Sequence, residues 1–161
     1  MTDYYVANAP TGDDGATGLI GFPWETVSQV SGFTFSPGDT ISFNRDDTFD
    51  CNTGGDGGLS VLASGTKGNP ITYGAYGTGA KPILDGASNV ACIRCWNDMS
   101  YITVQDFTCT NGTYAVSFNG DDATMRYGFI ISRVDVTGGT GTGQFGTAGT
   151  AGKVINHLLY E

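Results

Sequence analysis

Two stretches of the chain carry the same spacing of apolar residues. The first is Ile102-x-Val104-x-x-Phe107-x-Cys109, followed by Asn111-Gly112. The second is Phe129-x-Ile131-x-x-Val134-x-Val136, followed by Gly138-Gly139, so the starts at 102 and 129 lie 27 residues apart. Within each half the apolar period is two, the pattern of a strand with one buried face. Between the halves the phase slips by one residue, at Gln105-Asp106 and at Ser132-Arg133. On a straight strand that slip would turn the second half onto the wrong face. A bend at the slip keeps every apolar residue inward. A chain that bends at the same point once per lap is a coil of short strands, and a period in the twenties suits one lap of a solenoid. The pattern therefore predicts an all-β fold, a right-handed parallel β-helix. Ile93-x-Cys95 and Val116-x-Phe118 are placed to stack in the same way one lap apart.

Earlier segments fit the same architecture. Short strands are predicted at Tyr4–Ala7, Thr40–Phe43, Leu59–Leu62, Pro70–Tyr73, Pro82–Leu84, Val90–Cys95 and Tyr114–Phe118, separated by Gly- and Asn-rich turns. One segment breaks the rule. In Phe22-Pro-Trp-Glu-Thr-Val-Ser-Gln-Val30, Trp24, Val27 and Val30 recur at three, with Pro23 suited to a helix start and Gly32 to its end. This predicts a short amphipathic helix that covers the open N-terminal end of the coil. The whole chain, 1–161, reads as one domain: a cap region over 1–38, laps over 39–137, a Gly/Thr loop over 138–152 and the start of a further lap over 153–161. The loop contains Gly141-x-Gly143-x-x-Gly146, but a dinucleotide fingerprint needs a strand before it and a helix after it, so that reading is rejected.

The chain has 161 residues with 26 glycines, 7 Lys plus Arg against 16 Asp plus Glu, and a net charge of −9. So few cations argue against nucleic acid as a partner. No apolar run is long enough for membrane insertion. The start, Met1-Thr-Asp-Tyr-Tyr-Val, carries no visible signal peptide; the expectation is an extracellular mature segment or a virion-associated component. Cys51, Cys92, Cys95 and Cys109 include a single CxxC, and the one histidine is His157. Zinc would want a second pair or further histidines. Buried core thiols are the reading preferred over a disulfide or a metal.

Three blocks resemble the N-terminal part of pectate-lyase-like right-handed parallel β-helix proteins, which include polysaccharide lyases, glycoside hydrolases and phage tailspikes. One is Tyr4-Tyr-Val-Ala7 with Gly12-Asp-Asp-Gly15. The next is Pro23-Trp-Glu-Thr-Val27 with Pro37-Gly-Asp-Thr-Ile41. The last is Ser64 to Gly77, continuing to Lys81-Pro-Ile-Leu-Asp-Gly86. With the laps from Val90 to Val136 they cover most of the chain. They mark an architecture shared by many activities rather than one activity. The resemblance implies a groove along one flank for an extended glycan. It also implies either a lyase, in which Lys or Arg takes the proton beside a uronate carboxylate neutralised by calcium or a basic residue, or a hydrolase using paired carboxylates.

Candidate chemistry concentrates in two loops. Asp121 and Asp122, with Asp98 one lap earlier, could hold calcium through oxygen ligands. Arg126 could engage a uronate carboxylate or serve as the base. Trp96 and Tyr127 flank these loops and could stack on sugar rings. Arg94, between two inward residues, is expected to face solvent and the ligand. Each residue has a plain alternative: Asn-Gly-Asp-Asp is ordinary turn chemistry, the rings could cover the coil's edge, and Arg94, Arg133 and Lys153 could be solvated charges. Asp46, Asp47 and Asp50 form an acidic group without the spacing of an EF-hand. Asn111-Gly-Thr is a glycosylation sequon in form, and His157 has no nucleophile placed with it by any motif. The expected function is polysaccharide binding with calcium-assisted lyase chemistry on uronate glycans. The alternative is a non-catalytic structural or adhesive module, as in a phage tail or surface fibre, that forms homo-oligomers through its C-terminal end.

Overall fold

The computed structural model of the chain describes residues 1–53, 58–87, 91–95, 99–119, 126–138, 144–148, 154–155 and 158–160; residues 53, 119, 126 and those from 144 onward are described by backbone alone. A strand, β1 (Asp3–Val6), and a helix, α1 (Val27–Ser31), open the chain. The first lap is β2 (Thr40–Asn44), β3 (Thr48–Asp50) and β4 (Leu59–Val61). The second is β5 (Ile71–Tyr76), β6 (Ile83–Asp85) and β7 (Ala91–Cys95). The third is β8 (Ile102–Gln105), β9 (Thr108–Thr110), β10 (Tyr114–Asn119) and the two-residue β11 (Arg126–Tyr127). The fourth is β12 (Ile130–Ser132), β13 (Asp135–Thr137), β14 (Gln144–Ala148) and β15 (Val154–Ile155); β16 (Leu158–Tyr160) follows.

Among the described residues, the strands stack in three parallel sheets: β1-β2-β5-β8-β12-β16, β3-β6-β9-β13 and β4-β7-β10-β14, with β11 and β15 paired separately. Thr40 lies beside Thr72, Thr72 beside Thr103 and Thr103 beside Ile130, giving laps of 32, 31 and 27 residues. The fold is thus an all-β parallel solenoid, a right-handed β-helix with a short N-terminal helix.

The phase slip is the bend. Asp106 and Arg133, which follow β8 and β12, sit in the left-handed region with φ of 62° and 52°. Asp46 does the same after β2, with φ of 67°. One left-handed residue turns the strand about its axis, so the apolar positions on either side of it face the same interior. Inside, Ile41, Tyr73, Val104 and Ile131 form one row. Phe49, Leu84 and Cys109 form the second row, with Val136 next in register and exposed. On the third sheet Ile93 stacks on Val116 and Cys95 on Phe118, as expected. Phe43 makes edge contacts with Phe49 at 5.0 Å and Phe107 at 5.4 Å, tying two sheets together at the corner. Each fully buried side chain of this kind contributes about 1.5–3 kcal/mol.

The cap helix is shorter than its apolar stripe predicts. Trp24 is drawn into a parallel bridge with Val6, and its backbone bonds Tyr5 and Ala7. Pro23 therefore precedes the helix rather than starting it. Thr26 is the N-cap, its hydroxyl accepting from Gln29 N, and Gly32 is the C-cap. Asp14 fixes this junction: its carboxylate accepts from Glu25 N at 2.8 Å, Thr26 N at 2.9 Å and the Thr26 hydroxyl at 2.6 Å. Val27 and Val30 are buried, and the Ser31 hydroxyl accepts from Ser60 N on the edge strand β4. The short N-terminal helix that the sequence predicts is present, and it packs against β4.

Three strands lie where no strand is expected, one of them β11 at Arg126–Tyr127 in the predicted loop before Phe129. β3 falls within the acidic group Asp46–Asp50, because the corner brings it beside β6. β14 falls within the Gly/Thr stretch 138–152, carried by pairing with β10. All four cysteines are buried and unbridged. Among the described residues no helix is long and apolar enough to cross a membrane.

Candidate functional site

The outer face of the six-stranded sheet is built from the residues that alternate with the core. One row runs Tyr5, Ser42, Gly74, Gln105 and Ser132. The next runs Thr40, Thr72, Thr103 and Ile130. Beyond them Asn44 lies beside Tyr76. The strip carries hydroxyl and amide groups: Tyr5, Thr40, Ser42, Thr72 and Gln105 are half-buried, while Gly74, Thr103 and Ser132 are buried. A Cβ at Gly74 would stand 3.3 Å from Gln105 Cγ, so the Gln105 stem lies against the glycine backbone. At strand spacings of about 4.8 Å, the five strands from β1 to β12 give the strip a length of about 19 Å.

Tyrosines rise from it. The Tyr5 and Tyr76 rings meet edge-on at 5.0 Å and 82°, across the small residues of β2. Partial burial raises the Tyr76 phenol above the usual tyrosine range, helped by the nearby Asp47 charge, so it stays a neutral donor. At the upstream border, Tyr101 N donates to Tyr127 O at 2.7 Å, and Tyr127 N donates to the Ser100 hydroxyl. The Tyr127 side is 38% exposed.

The downstream border gathers three of the chain's seven cations. Arg133 Nε and Nη2 both donate to the Asp106 carboxylate at 2.6 Å. Arg45 Nη2 lies 3.9 Å from the same carboxylate, and Lys81 Nζ holds Asp135 at 2.8 Å. The Arg133 hydrogen bonds, and then the charges of Arg133, Arg45 and Lys81, hold the Asp106 carboxyl below its ordinary range. Asp106 is therefore an ionised anchor for Arg133.

The predicted site residues fall as follows. Tyr127 borders the strip. Arg126 is in β11, and its side chain lies outside the described residues, as do Trp96, Asp98, Asp121 and Asp122. The strands that precede their loops end side by side, Cys95 of β7 against Phe118 of β10. Arg94 is not solvent-facing: it is 6% exposed, on the four-stranded sheet of β7 rather than on the strip. It stands between Ser60 and Ser117 in register, and Ser117 is itself fully buried. The acidic group is structural. Asp46 accepts from Ala80 N, Asp47 from Asn8 N and Asn44 Nδ2, and Asp50 from Asn52 N.

Among the described residues there is no group of three His, Cys, Asp or Glu side chains able to hold a metal. The aspartates expected to hold calcium, Asp98, Asp121 and Asp122, lie outside those residues. Tyr5, Tyr76, Arg45 and Gln105 escape sequence reading because they are ordinary residues some thirty positions apart; only the lap register assembles them.

No protein-family model matches the chain, and no curated protein matches it. Solved structures do. The chain is similar to the native GH136 lacto-N-biosidase from Eubacterium ramulus, with a TM-score of 0.73 and 20% identity over 84% of this chain and 27% of that one. The selenomethionine derivative of that protein gives a TM-score of 0.66 at 20% identity, over 83% of this chain and 27% of that one. A rhamnogalacturonan lyase gives 0.55 at 18% identity, over 83% of this chain and 36% of that one. The chain therefore spans between 27% and 36% of the length of these proteins. The likeness establishes the fold, a right-handed β-helix of the kind on which these carbohydrate-active proteins are built.

Proposed function

We propose that the chain is an extracellular polysaccharide-binding β-helix whose glycan lies along the outer face of the six-stranded sheet. The observation that carries this reading is the strip itself: about 19 Å of stacked strands whose half-buried Thr40, Ser42, Thr72 and Gln105 lie between tyrosine rings and a border of cations. Sugar hydroxyls pair with such groups, and sugar faces stack on such rings. The names of the similar folds, a lacto-N-biosidase and a rhamnogalacturonan lyase, support a carbohydrate ligand. The finer reading is elimination on uronate-containing glycans. In that reading Asp121, Asp122 and Asp98 hold calcium, Arg126 meets the uronate, and Trp96 and Tyr127 line the approach. Burial of Arg94 leaves it out of this set.

The test follows ultraviolet absorbance of unsaturated uronate ends on alginate, pectate and chondroitin, with calcium and with chelator, beside affinity electrophoresis in the same polysaccharides. Retardation is expected on at least one of them. An absorbance rise abolished by chelator would support the lyase reading, and reducing ends without absorbance would replace it with hydrolysis. No retardation on any polysaccharide would overturn the binding proposal.

A further inference from the structure

We propose that Cys92 and Cys109 are a disulfide-forming pair that cross-links the second lap to the third when the chain meets a thiol-oxidising environment. Both thiols are buried in the core at 1% exposure. Cys109 Sγ lies 3.9 Å from the carbonyl oxygen of Ala115, on β10 beside the Cys92 strand β7. Cys92 Sγ lies 3.5 Å from the carbonyl oxygen of Thr110, the residue after Cys109. Cys92 is on β7 and Cys109 on β9, so a bond between them would join strands of successive laps and different sheets. The pair has a thin roof: a Cβ at Gly112 would stand 2.9 Å from Cys92 Sγ, and one at Gly86 3.3 Å from it. Only glycine backbone passes over the sulfur at those two points.

The two thiols differ in acidity. The hydrogen bond from Cys109, with help from the Thr110 and Gly86 backbone, lowers the Cys92 thiol below the ordinary range. The same contact, with burial, raises Cys109. Cys92 is thus the attacking sulfur. Its thiolate attacks one sulfur of a small-molecule disulfide such as oxidised glutathione; that S–S bond breaks and one glutathione leaves as a thiol. Cys109, giving up its proton, then attacks the Cys92 sulfur and expels the second glutathione. The protein loses two protons and two electrons, and the oxidant becomes two thiols.

The test refolds the full chain in a mixture of oxidised and reduced glutathione, alkylates remaining thiols under denaturing conditions, and maps the unreduced peptides. The expected result is a Cys92–Cys109 linked peptide with Cys51 and Cys95 alkylated. The thermal midpoint should fall by roughly 6–12 °C on reduction, the scale for a loop of this length. Four alkylated cysteines, or Cys92 linked chiefly to Cys51, would overturn the proposal. Cys95→Ala should keep the reductant-sensitive shift and Cys109→Ser should lose it. If Cys109→Ser fails to fold, the wild-type peptide map decides alone. This result is independent of glycan binding.

Discussion

Truncating Phe43 tests whether the interior is one packed column. Phe43 is fully buried, and its ring makes two edge contacts, with Phe49 and Phe107. Phe43→Ala removes the ring and leaves a cavity among residues fixed by three laps of backbone pairing, which limits collapse. The cost is about 4 kcal/mol, within the range for buried phenylalanine. Phe43→Leu keeps most of the volume and loses the two aromatic contacts, each worth about 0.5–1.5 kcal/mol, so its cost is about 1–3 kcal/mol. For a chain of this length each kcal/mol shifts the thermal midpoint by about 2–4 °C. Phe43→Ala should therefore melt about 8–16 °C below the wild type, with Phe43→Leu between them. Phe22 is the control: it is 68% exposed, and Phe22→Ala should fall within about 0.5 kcal/mol of wild type. The assay is urea and thermal unfolding followed by intrinsic fluorescence and circular dichroism. A Phe22→Ala loss equal to or larger than that of Phe43→Ala would refute the packing described.

Asp14→Ala strips three hydrogen bonds from the entry to the cap helix and should cost about 2–3 kcal/mol in urea unfolding. Asp13→Ala, which loses one exposed turn contact to Gly15 N, should cost less than about 1 kcal/mol; equal losses would contradict the clamp. The Asp106–Arg133 pair sets an acid dependence. The Asp106 carboxyl is held below its ordinary value, so its contribution is fully present above the unfolded carboxylate pKa of about 3.9. It is lost as pH falls through the lowered folded value. Asp106→Asn should lower the midpoint at pH 7 and flatten the decline below about pH 4; parallel profiles for wild type and variant would refute this.

Much of the coil is legible in the chain because its laps repeat a rule. The slip at Gln105-Asp106 and Ser132-Arg133 encodes a left-handed corner, and Asp106 and Arg133 adopt it. The rule fades where a strand buries one residue. β3 carries only Phe49 inward, with exposed neighbours, so no alternation announces it. β14 lies in a Gly/Thr-rich stretch and is placed by pairing with β10. Trp24 has helical spacing from Val27, yet the bridge to Val6 wins because an N-terminal strand is there to receive it. Arg94 shows the limit of alternation: facing away from the core does not mean facing water, for Arg94 and Ser117 beside it are both buried. The strip is hidden for a different reason. Thr, Ser and Gln at 72, 42 and 105 carry no signal singly; their meaning comes from stacking across laps.

The most direct measurement is calorimetric titration of a retarding polysaccharide's oligomers into the wild type and three variants. Tyr76→Ala, which removes a ring from the strip, should bind about tenfold more weakly than wild type. Thr72→Trp, which sets bulk in the middle of the strip, should abolish binding. Thr137→Trp, on the exposed strand β13 of another sheet, should bind as wild type does. Undiminished binding by Thr72→Trp, or loss of binding in Thr137→Trp alone, would place the glycan elsewhere and contradict the assignment of the six-stranded face.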